Sequence, residues 1–512
     1  MPPPMRTPRF ALAALAFIAA PLALAMPAAA QDGTLRIALA DDADMLDPTQ
    51  ARTYSGRFVF AALCDKLFDI NEKLEIVPQL AVGYEWADSK TLILKLRSGV
   101  KFHDGTEMDA AAVKYGFERH LTFPGSTRRG EIATIERVEV VDKLTARVVL
   151  KSPSSPFLSL LTDRAGMIVS PKAAEAAGKE FGAAPVCNGP FKFTERVAQD
   201  RMVFDRFDGY WDAGNIHFRR VVFQPIIDNA VRLTNLQAGA IDIGERIAAT
   251  DVAAVKADKR LVGLVYPGLG YQSLNINVGN GPKAKSPIGS NALVRRAFEA
   301  AIDREALVQV VYNGLYAPLA QGMTASNPMY NKDLPPPKRD LAKAKALLKE
   351  AGVTLPVPVV LTVTTLPDQK QTGEIIQAMA AEAGFDVKVR ATEFGAALSA
   401  QTSGDFEVSA IGWSGRADPD GNLYNGLHSK GALNESHYAN SDVDTWLDAA
   451  RATTDLAARR GLYAKITQQV QQDLPVLYLS NPAIIVAMSA KVSGYRPVPD
   501  GLIRIQGLKM AK

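Results

Sequence analysis

Histidine and cysteine are scarce in this chain of 512 residues, with five of the first and two of the second. The histidines, His103, His120, His217, His428 and His437, fall into no zinc-ligand spacing, so no resident metal is expected. Neither Cys64 nor Cys187 sits in a Cys–x–x–Cys pair or a nucleophile context, which argues against thiol chemistry. Gly–x–Ser–x–Gly and His–Glu–x–x–His motifs and a phosphate loop are also missing, and no cofactor is implied. Gly279-Asn280-Gly281-Pro282 is no phosphate cradle, because the proline interrupts the row of backbone donors. Runs of like charge are absent. A formal net charge of +4, with 22% charged residues, gives no reason to expect nucleic acid or a membrane surface as partner. The one long apolar run, residues 11–25, is shorter than the roughly 20 residues a membrane span needs. No repeat at solenoid or propeller periods is found.

What is present reads as an exported globular protein. Arg6 and Arg9 precede the apolar run, and Ala28-Ala29-Ala30 offers a small-residue cleavage site before Gln31. No cysteine follows that run, so a lipid anchor is not expected. Residues 1–30 are therefore read as a cleavable leader on a soluble protein. A hydrophobic share of 47% supports sizeable cores, and at about 150 residues per domain the rest makes about three compact units. In an exported protein Cys64 and Cys187 read as one disulfide; two buried free thiols are the alternative, since a bridge needs Cα atoms within about 7 Å.

Local patterning places many elements. Residues 34–39, 91–96 and 145–150 read as strands, and Asp109 as the N-cap of a helix carrying Val113 and Phe117. Residues 271–277 alternate polar and apolar. Residues 293–313 show a helical apolar face ended by Gly314, and Asp340 caps a helix stopped by Gly352. Strand 357–364, helix 372–383 and strand 385–391 form a right-handed βαβ unit.

One stretch is more specific than any of these. Val77-Pro78-Gln79-Leu80-Ala81, Glu85-Trp86, Leu94-Lys95-Leu96-Arg97, Gly99-Val100-Lys101-Phe102-His103-Asp104-Gly105-Thr106 and Phe117-Glu118-Arg119 follow one another in the order and spacing of a known signature. It resembles the signature of the extracytoplasmic solute-binding proteins of the peptide/nickel class, family 5, the capture subunits of ABC importers. Leu46-Asp47-Pro48, Asn188-Gly189-Pro190-Phe191, Tyr210-Trp211, residues 236–243 and residues 474–479 extend the resemblance over nearly all of the chain after the leader. It implies an α/β fold of the type II periplasmic-binding-protein kind, two lobes with a ligand cleft between them. The expected layout is a first lobe from 31–75, 188–270 and 480–512, an inserted subdomain over 76–187, and a second lobe over 271–479.

The same resemblance points to Gly412-Trp413-Ser414-Gly415-Arg416-Ala417-Asp418-Pro419-Asp420-Gly421-Asn422-Leu423-Tyr424 as the site. In dipeptide-type members an Asp following Trp-Thr-Gly pairs with the ligand's ammonium. Here Arg416 stands there, which suits a carboxylate or phosphate gripped bidentately. The alternative is a slipped alignment, with Arg416 an internal partner of Asp418 or Asp420 and Asp418 itself the ligand contact. Trp413, Ser414, Tyr54, Tyr271, Asn275 and Asn277 are further cleft candidates, and Arg128-Arg129 a weaker one. The implied function is periplasmic capture of a short peptide or peptide-like carboxylate-bearing solute by a monomer, without catalysis, for a separate membrane permease and ATPase. A non-peptide ligand (an opine, a sugar-phosphate-like anion or a nickel chelate) is the alternative, and an exported hydrolase the outsider.

Overall fold

The structure is a computed structural model that describes residue 1 and residues 33–511. The leader expected over 1–30 lies, Met1 apart, outside the described residues. Three sheets of four or more strands organise the rest. The first has seven strands in the order Leu261–Pro267, Ala483–Ser489, Ile243–Gly244, Thr34–Leu39, Arg220–Pro225, Arg201–Arg206, Phe191–Val197. Thr34–Leu39 runs parallel to both of its neighbours and is buried at nearly every position, the pattern of a strand covered on both faces.

The second sheet has six strands, in the order Ala317–Pro318, Val476–Asn481, Tyr271–Ile276, Val408–Trp413, Val357–Thr364, Phe385–Thr392. Its parallel pair Val357–Thr364 and Phe385–Thr392 is joined through the helix Pro367–Ala381, which starts five residues before the sequence pattern suggests. Pro367 explains the early start: a proline with fixed φ is at home in a helix's first turn. The third sheet is an antiparallel one of four strands, Ala81–Asp88, Thr91–Leu96, Thr145–Leu150, Ile135–Asp142. With the helix Ala110–Thr122 it closes its own apolar core, formed by residues between Leu67 and Ile168. Asp109 caps that helix, accepting from the Ala112 N–H at 2.9 Å.

The single helix expected over 293–313 is two, Ala292–Ala301 and Arg304–Tyr312. Ile302 is extended, and the Asp303 carboxylate accepts from the Ala306 N–H, so a capping side chain in mid-pattern restarts the helix. Cys64 and Cys187 are joined as a disulfide with their Cα atoms 5.0 Å apart. The chain passes between the seven- and six-stranded sheets at residues 268–270 and again at Pro482. Asn481 ties the two passages together, donating to the carbonyls of Gly268 (3.0 Å) and Gly270 (2.8 Å).

Candidate functional site

A cavity of about 400 Å3 lies between the two larger sheets, lined from both sides. That is within the roughly 300–1,000 Å3 of pockets that enclose small ligands. Neighbouring strands of the second sheet build one wall: Tyr271 stands directly across from Trp413 in the antiparallel pair, and Asn275 lies further along. Tyr478 packs edge-on against Tyr271, ring centroids 4.9 Å apart. The Trp413 indole N–H donates to Asn422 Oδ1 at 3.1 Å, so the ring offers the cavity its apolar face and not its donor. Asn422 holds the whole turn, also accepting from the Arg416 N–H (2.7 Å) and donating to the Arg416 carbonyl (3.1 Å). Gly415 is required there. Its φ is +75°, and a Cβ would fall 2.2 Å from the Leu269 carbonyl oxygen, on the passage between the sheets.

The opposite wall comes from the first lobe. Tyr54, at the start of the helix Tyr54–Leu63, donates to the Asp500 carbonyl at 2.9 Å. Beyond it the chain leaves the short strand Ile243–Gly244 through Arg246, whose φ of +48° lies in the left-handed region that non-glycine residues seldom occupy. Arg232 steadies that turn: fully buried, it donates to the carbonyls of Ile226 and Arg246, the latter at 2.7 Å. The Arg246 guanidinium then meets Glu245 (Nε, 2.9 Å) and Asp41 (Nη2, 2.7 Å), while its Nη1 has no hydrogen-bond acceptor among the described residues. Burial opposes its charge, but these two carboxylates raise its pKa. Across from it, in the first turn of the helix Pro367–Ala381, Asp368 lines the cavity without an ion-pair partner among the described residues. Burial raises its carboxyl, and Arg246 works against that shift. Tyr316, stacked on Tyr312 with ring centroids 3.8 Å apart, completes this end.

Arg416 and Asp418 do not line this cavity. Asp418 is held bidentately by Arg459 (2.7 and 2.8 Å), and Asp420 by Arg451 (2.8 and 2.9 Å), so neither partner proposed for Arg416 is free. The Arg416 Nε instead meets Asp163, across the gap between the sheets, at 2.5 Å. Asp163 also accepts from Arg57 Nε at 3.2 Å, and Arg57 Nη1 crosses back to Ser414 Oγ at 3.0 Å. Burial alone would raise the Asp163 carboxyl, yet Arg416, Arg57, Arg164 and Arg128 hold it well below the usual carboxylate range. Arg416 is itself pushed down to about 10, by burial and then by Arg57. A second bridge joins Arg52 to Glu435 (2.6 Å) and to Thr402 (2.9 Å). These contacts fasten the two walls together around the cavity.

The remaining candidates divide. Ser414, Tyr54, Tyr271, Asn275 and Trp413 come together around the cavity. Asn277 is wholly buried and donates to the carbonyls of Asn280, Gly404 and Phe406, a structural tie. Arg128 is buried against Glu131, and Arg129 is exposed on Leu121's carbonyl. Arg246 and Asp368 were not singled out from sequence; Asn422 lay within the expected site segment with no role of its own assigned. Arg246 follows the matched segment ending at Ile243, but no local pattern marks it. Among the described residues no cluster of His, Cys, Asp and Glu could hold a metal ion, and no helix is long and apolar enough to cross a membrane.

Comparison with known proteins agrees with this geometry. The chain is 29% identical over 485 residues to the glutathione-binding protein GsiB of Pectobacterium atrosepticum, covering 92% of this chain and 93% of that one. Among solved structures, the periplasmic binding protein DppA of Helicobacter pylori, in complex with the peptide STSA, superposes with a TM-score of 0.85 at 26% identity. That match covers 94% of this chain and 98% of DppA. The binding protein AgaA of A. tumefaciens R10, in complex with agropinic acid, gives a TM-score of 0.84 at 27% identity, covering 94% and 99%. The model for the middle region of the bacterial extracellular solute-binding proteins, family 5, matches residues 75–434. With two lobes clasped over a charged, aromatic-walled cavity and that match across most of its length, the chain belongs to the bacterial extracellular solute-binding proteins of family 5.

Proposed function

We propose that this protein captures a short peptide or peptide-like solute bearing a carboxylate and delivers it to the permease and ATPase of an ABC importer. It acts as a monomer in the periplasm, after removal of its leader, and performs no catalysis. The observation that carries this reading is the cavity of about 400 Å3 enclosed between the lobes, with aromatic walls and with Arg246 and Asp368 facing it from opposite sides. Such a site recognises a small ligand of mixed polarity that carries both charges. Closure of the lobes on the ligand is the signal a permease would read. The glutathione-binding and peptide-bound relatives support the peptide class. The agropinic-acid complex of AgaA supports a second reading, an opine-type acid.

Native mass spectrometry of the protein, purified from the export compartment without refolding, tests this. A co-purifying peptide mass supports the first reading. A bound non-peptide acid moves the assignment to the second, and conversion of the bound compound into product would defeat both.

A further inference from the structure

One wall of the cavity is the helix Asp420–Leu427, which gives the lining Gly421, Asn422, Asn425, Gly426 and Leu427. Its inner side holds Trp413 and the turn at Arg416 through Asn422. By Leu423 and Leu427 it shares a core with Val443, Leu447 and Ala450 of the helix Ser441–Ala452. Arg451, in the last turn of that second helix, ties both helices to the unit built on the four-stranded sheet. Its Nε and Nη2 grip Asp420 at 2.9 and 2.8 Å, and its guanidinium lies 3.3 Å from the Tyr424 ring centroid. Its remaining nitrogen, Nη1, donates to the Gly130 carbonyl at 3.1 Å. Carbonyls in a helix's last turn have no intrahelical donor, and that of Arg451 is served by the Ser155 N–H at 2.8 Å. Gly130 and Ser155 each stand two residues before a member of the core between Leu67 and Ile168, Ile132 and Phe157. Gly130 comes this close because it has no side chain. A Cβ there would fall 2.6 Å from Asn425 Oδ1, a buried oxygen with no hydrogen bond among the described residues, and 4.0 Å from the Ala432 Cβ.

We propose that the four-stranded unit is a working part of the trap. Docked on Arg451 through Gly130 and Ser155, it holds the helix Asp420–Leu427 in place as a ligand wall, and its undocking lets that wall relax. The inference rests on the capture function proposed above and adds a moving part to it. Arg451 is a positioning residue and does not line the cavity. Asp420 fixes the start of the helix, the helix fixes Asn422, and Asn422 fixes Trp413. The docking bonds use a backbone carbonyl and a backbone N–H of the four-stranded unit, groups that water can serve instead at small net cost. Each side also keeps an apolar core of its own, so the contact can part without either side unfolding.

The test is hydrogen exchange of the mature, ligand-free protein in three forms. One is wild type. Gly130→Leu is a wedge, whose side chain cannot pass Asn425. Gly130→Cys with Ala432→Cys is a lock, since 4.0 Å between Cβ atoms is a disulfide separation. Amides of the helix Asp420–Leu427 are expected to exchange about tenfold faster than wild type in the wedge and about tenfold slower in the oxidised lock. Reducing the lock should restore the wild-type rate; Cys64–Cys187 is buried, and wild type taken through the same reduction controls for it. Exchange in the strands Thr91–Leu96 and Thr145–Leu150 should stay unchanged, which general destabilisation would not allow. An unchanged helix rate in either variant would overturn the latch. So would a cysteine pair that no oxidant joins, or strands that speed up together with the helix. The exchange measurement needs no ligand, so capture itself stands or falls separately, on the mass measurement above.

Discussion

Replacing Arg416 with alanine separates two roles that sequence alone left open, ligand contact and internal partner. Its guanidinium meets Asp163 at 2.5 Å from the far side of the interlobe gap. Removing one member of a buried ion pair typically costs about 3–5 kcal/mol, most of it from the charge left behind. Asp163 would not be abandoned, since Arg57 at 3.2 Å and Arg164 at 3.8 Å remain beside it. The loss is accordingly set lower, at about 2 kcal/mol. It falls on the closed state alone, because opening separates the pair in any case. At about 1.4 kcal/mol per decade, affinity should drop about 30-fold, with a faster off-rate and an unliganded radius of gyration no smaller than wild type. Calorimetry and small-angle scattering read these. Asp163→Asn is the control: Asp163 lines no part of the main cavity, so a clasp predicts a similar loss and strong non-additivity in the double variant. Loss of affinity in Arg416→Ala with an unchanged Asp163→Asn would restore Arg416 as a ligand contact and refute the clasp.

Two further predictions concern stability. Burial, then Arg128 and Arg119, lower His120 to about 3, so it stays neutral in the folded state while the unfolded chain takes a proton near 6.5. Its contribution is complete above pH 6.5 and declines as pH falls toward 3, by about 1.4 kcal/mol per unit. His120→Gln should flatten the acid limb of the urea-unfolding free energy by that slope between pH 6 and pH 4; an unchanged slope contradicts the assignment. The Cys64–Cys187 bridge spans 123 positions, which in the chain-entropy account corresponds to about 5 kcal/mol at 25 °C. Cys64→Ser with Cys187→Ser should lower the unfolding free energy by that order, and a loss under about 1 kcal/mol would mean the unfolded chain is already constrained there.

Much of the scaffold was legible because its signals are local. Asp109 and Asp340 cap the helices they precede, the alternation at 271–276 is a strand, and the βαβ unit has its expected parallel pairing. The break at Ile302 was not, since an apolar face continued past it while one aspartate side chain decided the matter. The site divided along the same line. Tyr271 and Trp413 were named from the resemblance, but their direct opposition is a product of sheet order. Asp368 reads in sequence as an ordinary acidic residue of a helix's first turn, and Arg246 as an ordinary arginine. Their meaning comes from residues far away in the chain: Asp41 pairs with one, and the other makes no ion pair among the described residues. Likewise Arg416 had two acidic neighbours in sequence, and both turned out to belong to arginines of the helices that follow.

The strand Ala483–Ser489 sits inside the seven-stranded sheet, between Leu261–Pro267 and Ile243–Gly244, although it is among the last segments in the chain. Until it arrives, both neighbours present unpaired backbone edges, and the first lobe cannot close its core around Ile485 and Val486. A chain emerging from the ribosome N-terminus first therefore cannot complete its earliest lobe before nearly all of it has been made. Pairings of such long sequence separation are slow to form. The native order of the first lobe therefore waits on a segment that reaches it only after the strands of the second have been laid down.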